Sequence, residues 1–210
     1  MWRTSAGRQA AWRYLSATAM NFLGHLLVSG KEPLVIVGNF MADAVKGRDL
    51  SAWSPGLQEG IRMHRRIDSY TDSHPLTLRG RERLRDHCGK YAGVALDLFY
   101  DHALAANWNE LRKEPLADFA RRMYTLLQAH AHLMPDRTQV MLGYMVRNDW
   151  LTSYARMGGI GRALAGLASR VPGGEVLRGA EEVLLDHRDL FVEECLRFIG
   201  DLEKHLAHEE

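Results

Sequence analysis

Apolar residues recur at three- and four-residue spacing along almost the whole chain, while strand-like alternation is missing and β-branched residues are sparse. A pattern with that period can bury its apolar stripes only as helices packed on helices. The punctuation agrees. Ser54-Pro55 reads as an N-cap with proline in the first turn, and the spacing predicts a helix from there to about Asp72. His74-Pro75 closes that helix and opens another, which Gly89 ends. A further helix is predicted from about Lys90 to Leu111, with Ala95, Leu98, Phe99, His102 and Ala106 near one face. Asp136 is a candidate cap for a helix reaching Trp150, Gly158-Gly159 a turn, and Pro172-Gly173-Gly174 a loop. From Glu175 onward the pattern is one long helix or two short ones. The expected fold is an all-α, single-domain bundle of roughly seven to nine helices.

Composition narrows the function classes. A hydrophobic share of 46% and a charged share of 25% over 210 residues suit one soluble globular domain with a real core. The formal net charge of +1 gives no bulk attraction for nucleic acid or a membrane surface, so any basic patch must be local. The most apolar stretch, Leu34 to Val45, is short and broken by Asn39 and Asp43, which excludes it as a membrane span. Cys88 and Cys195 form no paired motif and read as two unremarkable half-buried thiols, in keeping with a reducing cytoplasm. Residues 1–19 carry Arg3, Arg8 and Arg13 without an acid or a secretory pattern, and read as a leader or an over-extended start; residues 20–210 read as the one helical domain.

Residues able to ligate metal concentrate between His25 and His102. His64, Asp68 and Asp72 stand at i, i+4 and i+8, rising along one stripe of a helix. Asp97 and Asp101 repeat the spacing, with His102 adjacent. His25 and Asp43 each sit inside an apolar helical run. Buried there, such groups are costly unless paired, and a divalent cation pairs several at once. Mixed imidazole and carboxylate donors suit Mn²⁺, Fe²⁺ or Zn²⁺, and carboxylate-rich shells lean to Mn²⁺ or Mg²⁺. Blander readings stand beside this one. A lone His25 is as readily a hydrogen-bonded core residue, Asp72 a helix cap, Asp97 and Asp101 a solvated face, and His64 with Asp68 members of surface ion pairs; spacing alone does not choose. His87, His130, His132, His187, His205 and His208 have no ligand-like context and read as surface histidines.

A second signal is arginine. Arg62, Arg65, Arg66, Arg79, Arg81, Arg83 and Arg85 face only Asp68, Asp72 and Glu82, a local excess of seven minus three, or four, positive charges. Guanidinium groups favour phosphate, and a basic rim favours an acidic partner. Lys46-Gly47-Arg48, just after Asp43, adds to it. Aromatic interleaving for single-strand stacking is absent here, so nucleic acid is not expected.

Taken together, Met20-Asn-Phe-Leu-Gly-His25, Gly38-Asn-Phe-Met-Ala-Asp43 with Lys46-Gly47, Gly60-Ile-Arg-Met-His64-Arg-Arg-Ile-Asp68 with Thr71-Asp72, and Asp97-Leu-Phe-Tyr-Asp101-His102 resemble the bacterial acyl carrier protein phosphodiesterase family. The resemblance runs from Met20 to near the C-terminus and thins after about Leu111. It implies an HD-domain-like helical fold and hydrolysis of the phosphodiester between 4′-phosphopantetheine and a serine of holo-acyl carrier protein, an acidic partner, with manganese as the expected cofactor. The chain departs from ordinary HD enzymes in lacking an adjacent His-Asp doublet; the nearest equivalents are His64 with Asp68 and the reversed Asp101-His102. On this footing Asp43, His64, Asp68 and Asp101 are expected on the metal, with His25 a further ligand. Asp72, Asp97 and His102 are expected behind them or in acid–base roles, Arg65, Arg66 and Lys46 on phosphate, and Arg62, Arg79, Arg81, Arg83 and Arg85 on the partner. Two competing readings share parts of this: an HD-like phosphohydrolase of a nucleotide or other small diester, and a non-catalytic module that binds an acidic protein.

Overall fold

The structure, a computed structural model, describes residues 22–208, so the expected leader at 1–19 and the start of the first motif lie outside the described residues. The described chain is helical throughout, with no strand among the described residues. α1 (Phe22–Val28) and α2 (Pro33–Met41) lead into a 3₁₀ turn, Ala42–Ala44; α3 (Pro55–Ser73), α4 (Pro75–Cys88) and α5 (Ala92–Ala106) follow. The second half comprises α6 (Trp108–Leu111), α7 (Leu116–Ala129), α8 (Asp136–Arg147), α9 (Trp150–Ser153), α10 (Met157–Ala168), α11 (Ala180–Asp186) and α12 (Arg188–Ala207).

The all-α expectation holds, but in more pieces than expected. The helix predicted to Leu111 stops at Ala106, where Asn107 leaves helical geometry (φ −112°, ψ 23°). The one predicted to Trp150 stops at Arg147, because Asp149 turns left-handed (φ 43°) and restarts the chain as α9. Prolines open α2, α3 and α4 at their first turns, where a missing N–H costs nothing. Ser54 stands in the N-cap position of α3, yet its hydroxyl makes no capping bond. His74 does cap α4: its Nδ1 accepts from the Leu76 N–H at 3.3 Å, which leaves Asp72 for other work.

α5 is the axis of the fold. Twelve of its fifteen residues are buried, so its apolar character runs round the helix rather than along one face. α1, α4, α10 and α12 pack around it. One contiguous core runs from Phe22 to Leu202 and includes both free cysteines, which are fully rather than half buried.

Two glycine contacts set the geometry near the future site. A Cβ on Gly38 would lie 2.3 Å from the Leu57 carbonyl oxygen, and one on Gly60 would lie 2.1 Å from that of Val35. α2 and α3 therefore cross backbone against backbone, which brings Asn39, next to Gly38, within reach of His64, one turn past Gly60. The Gly158-Gly159 pair also serves packing. It lies inside α10 rather than in the expected turn, since a Cβ on Gly159 would stand 2.0 Å from the Ser153 carbonyl oxygen.

Gly60→Ala is expected to force α2 and α3 apart and cost about 1–3 kcal/mol. Urea denaturation of the two proteins measures this, and an unchanged midpoint would contradict the close crossing.

Candidate metal centre

Five polar residues meet where α1, α2 and α3 cross: His25 from α1, Asn39 from α2, Asp43 from the 3₁₀ turn, and His64 and Asp68 one turn apart on α3. The imidazoles of His25 and His64 stack with centroids 4.2 Å apart. Their outer nitrogens face carboxylates. His25 Nε2 lies 3.3 Å from Asp68 Oδ1, and His64 Nε2 lies 3.2 Å from Asp68 Oδ2 and 3.5 Å from Asp43 Oδ1. Both imidazoles are buried, whereas Asp68 and Asp43 keep 41% and 31% of their side chains exposed, so the group opens to solvent on its acidic side. Phe22, Leu26 and Phe40 wall the cleft beside it.

Asn39 decides what the imidazoles can do. Its Oδ1 receives both inner nitrogens, His25 Nδ1 at 2.9 Å and His64 Nδ1 at 3.0 Å. Its Nδ2 donates to Ser29 Oγ at 2.7 Å and to the His25 carbonyl at 3.3 Å. A carbonyl oxygen only accepts, so the amide cannot be flipped without loss, and Oδ1 must be the atom facing the rings. Both Nδ1 atoms then carry protons, and both Nε2 lone pairs point at the carboxylates. One ring nitrogen of each histidine and an oxygen of Asp68 lie within 4.8 Å of one another, a donor set that fits a divalent cation.

Without a cation, a proton takes that position. Burial alone would pull His64 down, but hydrogen bonds to Asp43 and Asp68 outweigh it and raise the imidazole to about 9. Burial likewise opposes ionisation of Asp68, yet His25 and His64 hold its carboxyl well below the usual range.

The structure does not bring every expected residue here. Asp101 is fully buried elsewhere on α5, and its two oxygens accept the Leu23 and Gly24 N–H groups at 3.1 and 3.0 Å. It caps α1 from a distant helix and so aims His25 without joining it. His102 is spent on the Tyr154 carbonyl, 2.7 Å from its Nδ1. Asp97 is buried one turn before Asp101, so neither acid forms a solvated face. Desolvation pushes Asp97 up to about 7, with Arg81 opposing and Asp68, Asp72 and Asp43 adding to the rise. Asp72 pairs with Arg81 at 2.5 Å, and Asp43 sits in a 3₁₀ turn rather than in a helix.

The arginines divide. Arg65 holds the loop after Asp43 through the Gly47 carbonyl at 2.8 Å, beside exposed Lys46, and Arg66 pairs with Glu59 at 2.9 Å. Arg62, Arg79 and Arg85 are exposed, with Arg85 paired to Glu82. Arg83 departs from its expected partner-facing role: it grips Glu194 of α12 through two bonds of 2.9 and 3.0 Å and lies over Phe191. Of the histidines read as surface residues, His87, His132, His187 and His208 are exposed, while His130 is half-buried and half-buried His205 stacks on Tyr70 at 4.3 Å. Sequence reasoning passed over Asn39 and Arg137. Asn39 lay in an apolar run, the same signal that drew attention to His25. Arg137 bonds the Asp43 carbonyl at 2.9 Å from ninety-four residues away, which no local pattern reveals.

Comparison with known proteins bears on this site. The sequence model of the family described as acyl carrier protein phosphodiesterase matches residues 20–202. A protein of that name from Photorhabdus laumondii is 33% identical over 80% of this chain and 85% of its own. One from Serratia proteamaculans is 35% identical over 77% of this chain and 84% of its own. One from Yersinia pestis is 30% identical over 91% of this chain and all of its own. No solved structure matches.

Asp97 gives a test of the buried electrostatics. Its folded-state pKa is raised above the unfolded one, so the folded state binds the extra proton and stability falls as pH rises toward about 7. In EDTA-treated protein, Asp97→Asn is expected to remove up to about 1.4 kcal/mol of pH dependence per unit across that window and to be the more stable form at pH 8. Thermal melts from pH 4.5 to 8 check this; parallel curves for the two proteins would refute it.

Proposed function

The chain belongs to the acyl carrier protein phosphodiesterase family, and from that membership we propose that it hydrolyses the diester joining 4′-phosphopantetheine to a serine of holo-acyl carrier protein, releasing the apo carrier and free 4′-phosphopantetheine. The observation that carries the reading is the convergence of His25, His64 and Asp68, with Asp43 beside them, at a half-open cleft. These residues would hold a divalent cation, Mn²⁺ in this proposal, with Mg²⁺, Fe²⁺ or Zn²⁺ suited to overlapping donor sets. A bound cation of this kind lowers the pKa of water and offsets charge on phosphoryl oxygens.

The protein's own residues do the positioning. Asn39 fixes both imidazoles with their Nε2 lone pairs outward, and Asp101 holds the helix that carries His25. Arg137 holds the Asp43 carbonyl and Arg65 the Gly47 carbonyl of the loop that follows, and Lys46 stands exposed on that loop for a phosphate oxygen. Asp72 is held by Arg81 one turn beyond Asp68, which favours a bracing role for it over proton transfer.

A matching surface lies past Asp72. Arg81, Arg85 and Lys90 line an open depression floored by Gly89 and Gly93, and Arg79 is exposed on the same helix. Concave clusters of one sign steer an oppositely charged partner, here an acidic carrier protein. Among the described residues no helix is long and apolar enough to cross a membrane, and both cysteines are free, features that support a cytoplasmic site of action.

Mass spectrometry of holo-carrier protein incubated with the enzyme, with and without Mn²⁺, tests the reaction. Loss of the pantetheine arm is expected only with the metal, and an intact carrier in both samples rejects the proposal. Asn39→Ala is expected to weaken Mn²⁺ binding about 10–100-fold in calorimetry, because the rings lose their common anchor. Arg85→Glu is expected to raise KM for the carrier more than it lowers kcat, with the difference shrinking at high salt; equal effects on both would count against steering.

A further inference from the structure

A second cleft lies beyond the aromatic wall of the metal centre. One side is α10, where Gly159, Ala163 and Gly166 form a floor of small residues and Arg162 rises one turn before Gly166, while Arg170, just past the helix end, folds back onto the Gly166 carbonyl. The other side is the turn carrying Asn148, Trp150 and Tyr154. The cleft encloses about 180 Å³, room for a slender chain rather than a bulky ligand. A groove of small residues is not by itself a site. Tyr154 supplies the second observation: it is 2% exposed, lines this cleft, and its hydroxyl has no hydrogen-bond partner among the described residues. Leaving a buried hydroxyl unsatisfied is costly, so it calls for a ligand that can accept from it.

The location says which ligand. Trp150, on one wall, lies with its ring 6.4 Å from Phe22, and Phe22 lines the cleft of His25 and Asp43. α5 serves as a ruler. Ala92 and Gly93, at its start, line the basic depression; Asp101 and His102, toward its end, hold the Leu23 and Tyr154 backbones. At the helical rise, Gly93 and His102 are about 14 Å apart along the axis. The basic depression and the Tyr154 cleft thus lie toward opposite ends of one helix, and the cleft shares its end with Leu23 of the helix that carries His25. A phosphodiester also has two sides. In the diester proposed above, one side is a folded acidic protein. The other is a slender, largely uncharged chain with two amide carbonyls and a branched methyl pair. The narrow floor admits such a chain, Trp150 offers an apolar wall, and Tyr154 and Arg162 supply donors for its carbonyls.

We infer that the cleft between α10 and the Asn148–Tyr154 turn holds the pantetheine arm of the diester, an inference that rests on the reaction proposed above. The arm then leaves on the side away from the carrier protein.

The full-length protein tests this with two substrates in Mn²⁺: holo-carrier protein, which has the arm, and bis(p-nitrophenyl) phosphate, which has none. Gly166→Leu fills the floor, where a Cβ meets only the end of the flexible Arg170 side chain. The ratio of kcat/KM for carrier over small diester is expected to fall about tenfold or more. Tyr154→Phe keeps the ring and removes the hydroxyl; in calorimetric titration with pantetheine it is expected to bind about three- to tenfold more weakly than wild type. A ratio within twofold of wild type for Gly166→Leu overturns the inference and leaves the reaction standing, as does equal pantetheine binding by Tyr154→Phe. Should wild type spare the arm of holo-carrier protein altogether, the proposed reaction fails and the inference with it.

Discussion

One carboxamide oxygen receives two buried imidazoles, and much else in the molecule follows from the need to put it there. Asn39 is wholly buried, so each of its polar atoms must find a partner, and all of them do, on His25, His64 and Ser29. Meeting that demand requires three helices to approach more closely than ordinary side chains allow. Gly38 and Gly60 remove the obstruction between α2 and α3, and Asp101 draws the first turn of α1 onto α5. The same bonds that satisfy the amide orient both rings. Packing and site chemistry are therefore one constraint here, and a change that loosens the crossing must also misalign the imidazoles.

The buried acids of α5 show how the same residue types can serve structure and site within two turns. Asp101 meets the unsatisfied N–H groups at the start of α1 and acts as its cap from across the core. Asp97, one turn earlier, is buried too, and desolvation pushes both carboxyls up, Asp97 to about 7 and Asp101 well above the usual range despite its two backbone donors. Negative charge is already concentrated on the solvent side of the centre by Asp43 and Asp68. Keeping Asp97 protonated near neutrality avoids adding another charge behind it, and a cation at the centre would favour its ionised form instead. The fold tolerates this because α5 is enclosed by α1, α4, α10 and α12 and cannot turn its acids to solvent.

What the sequence made legible was local. Helical periodicity, the prolines that open α3 and α4, and the i, i+4 relation of His64 and Asp68 depend on residues within a turn of one another, so they were readable in order along the chain. His25 and Asp43 were found by cost: an imidazole and an acid in apolar runs require partners. Asn39 obeys the same rule and was passed over because an amide carries no charge to draw the eye. Asp101 and His102 stand apart from the cluster because their partners, the Leu23 and Gly24 N–H groups and the Tyr154 carbonyl, are main-chain groups far along the chain, which leave no mark in composition. Gly158-Gly159 looked like a turn because glycine serves turns and close packing alike; only the Ser153 carbonyl beside Gly159 separates the two.

The arginine segment carries the same lesson into function. Arg79, Arg81, Arg83 and Arg85 alternate along the sequence, and alternation on a helix divides residues between faces. Arg81 and Arg85 fall one turn apart and reach the depression shared with Lys90. Arg83 falls on the other side and is consumed by Glu194 and Phe191 of α12. A count of local charge therefore overstates what a partner meets. What remains accessible is narrower and more directional, and it adjoins Asp72 and Asp68 along α3 rather than surrounding the centre. A patch of that shape can only present its partner from one side. The opposite side, past Phe22 and Trp150, is left for whatever the reaction detaches.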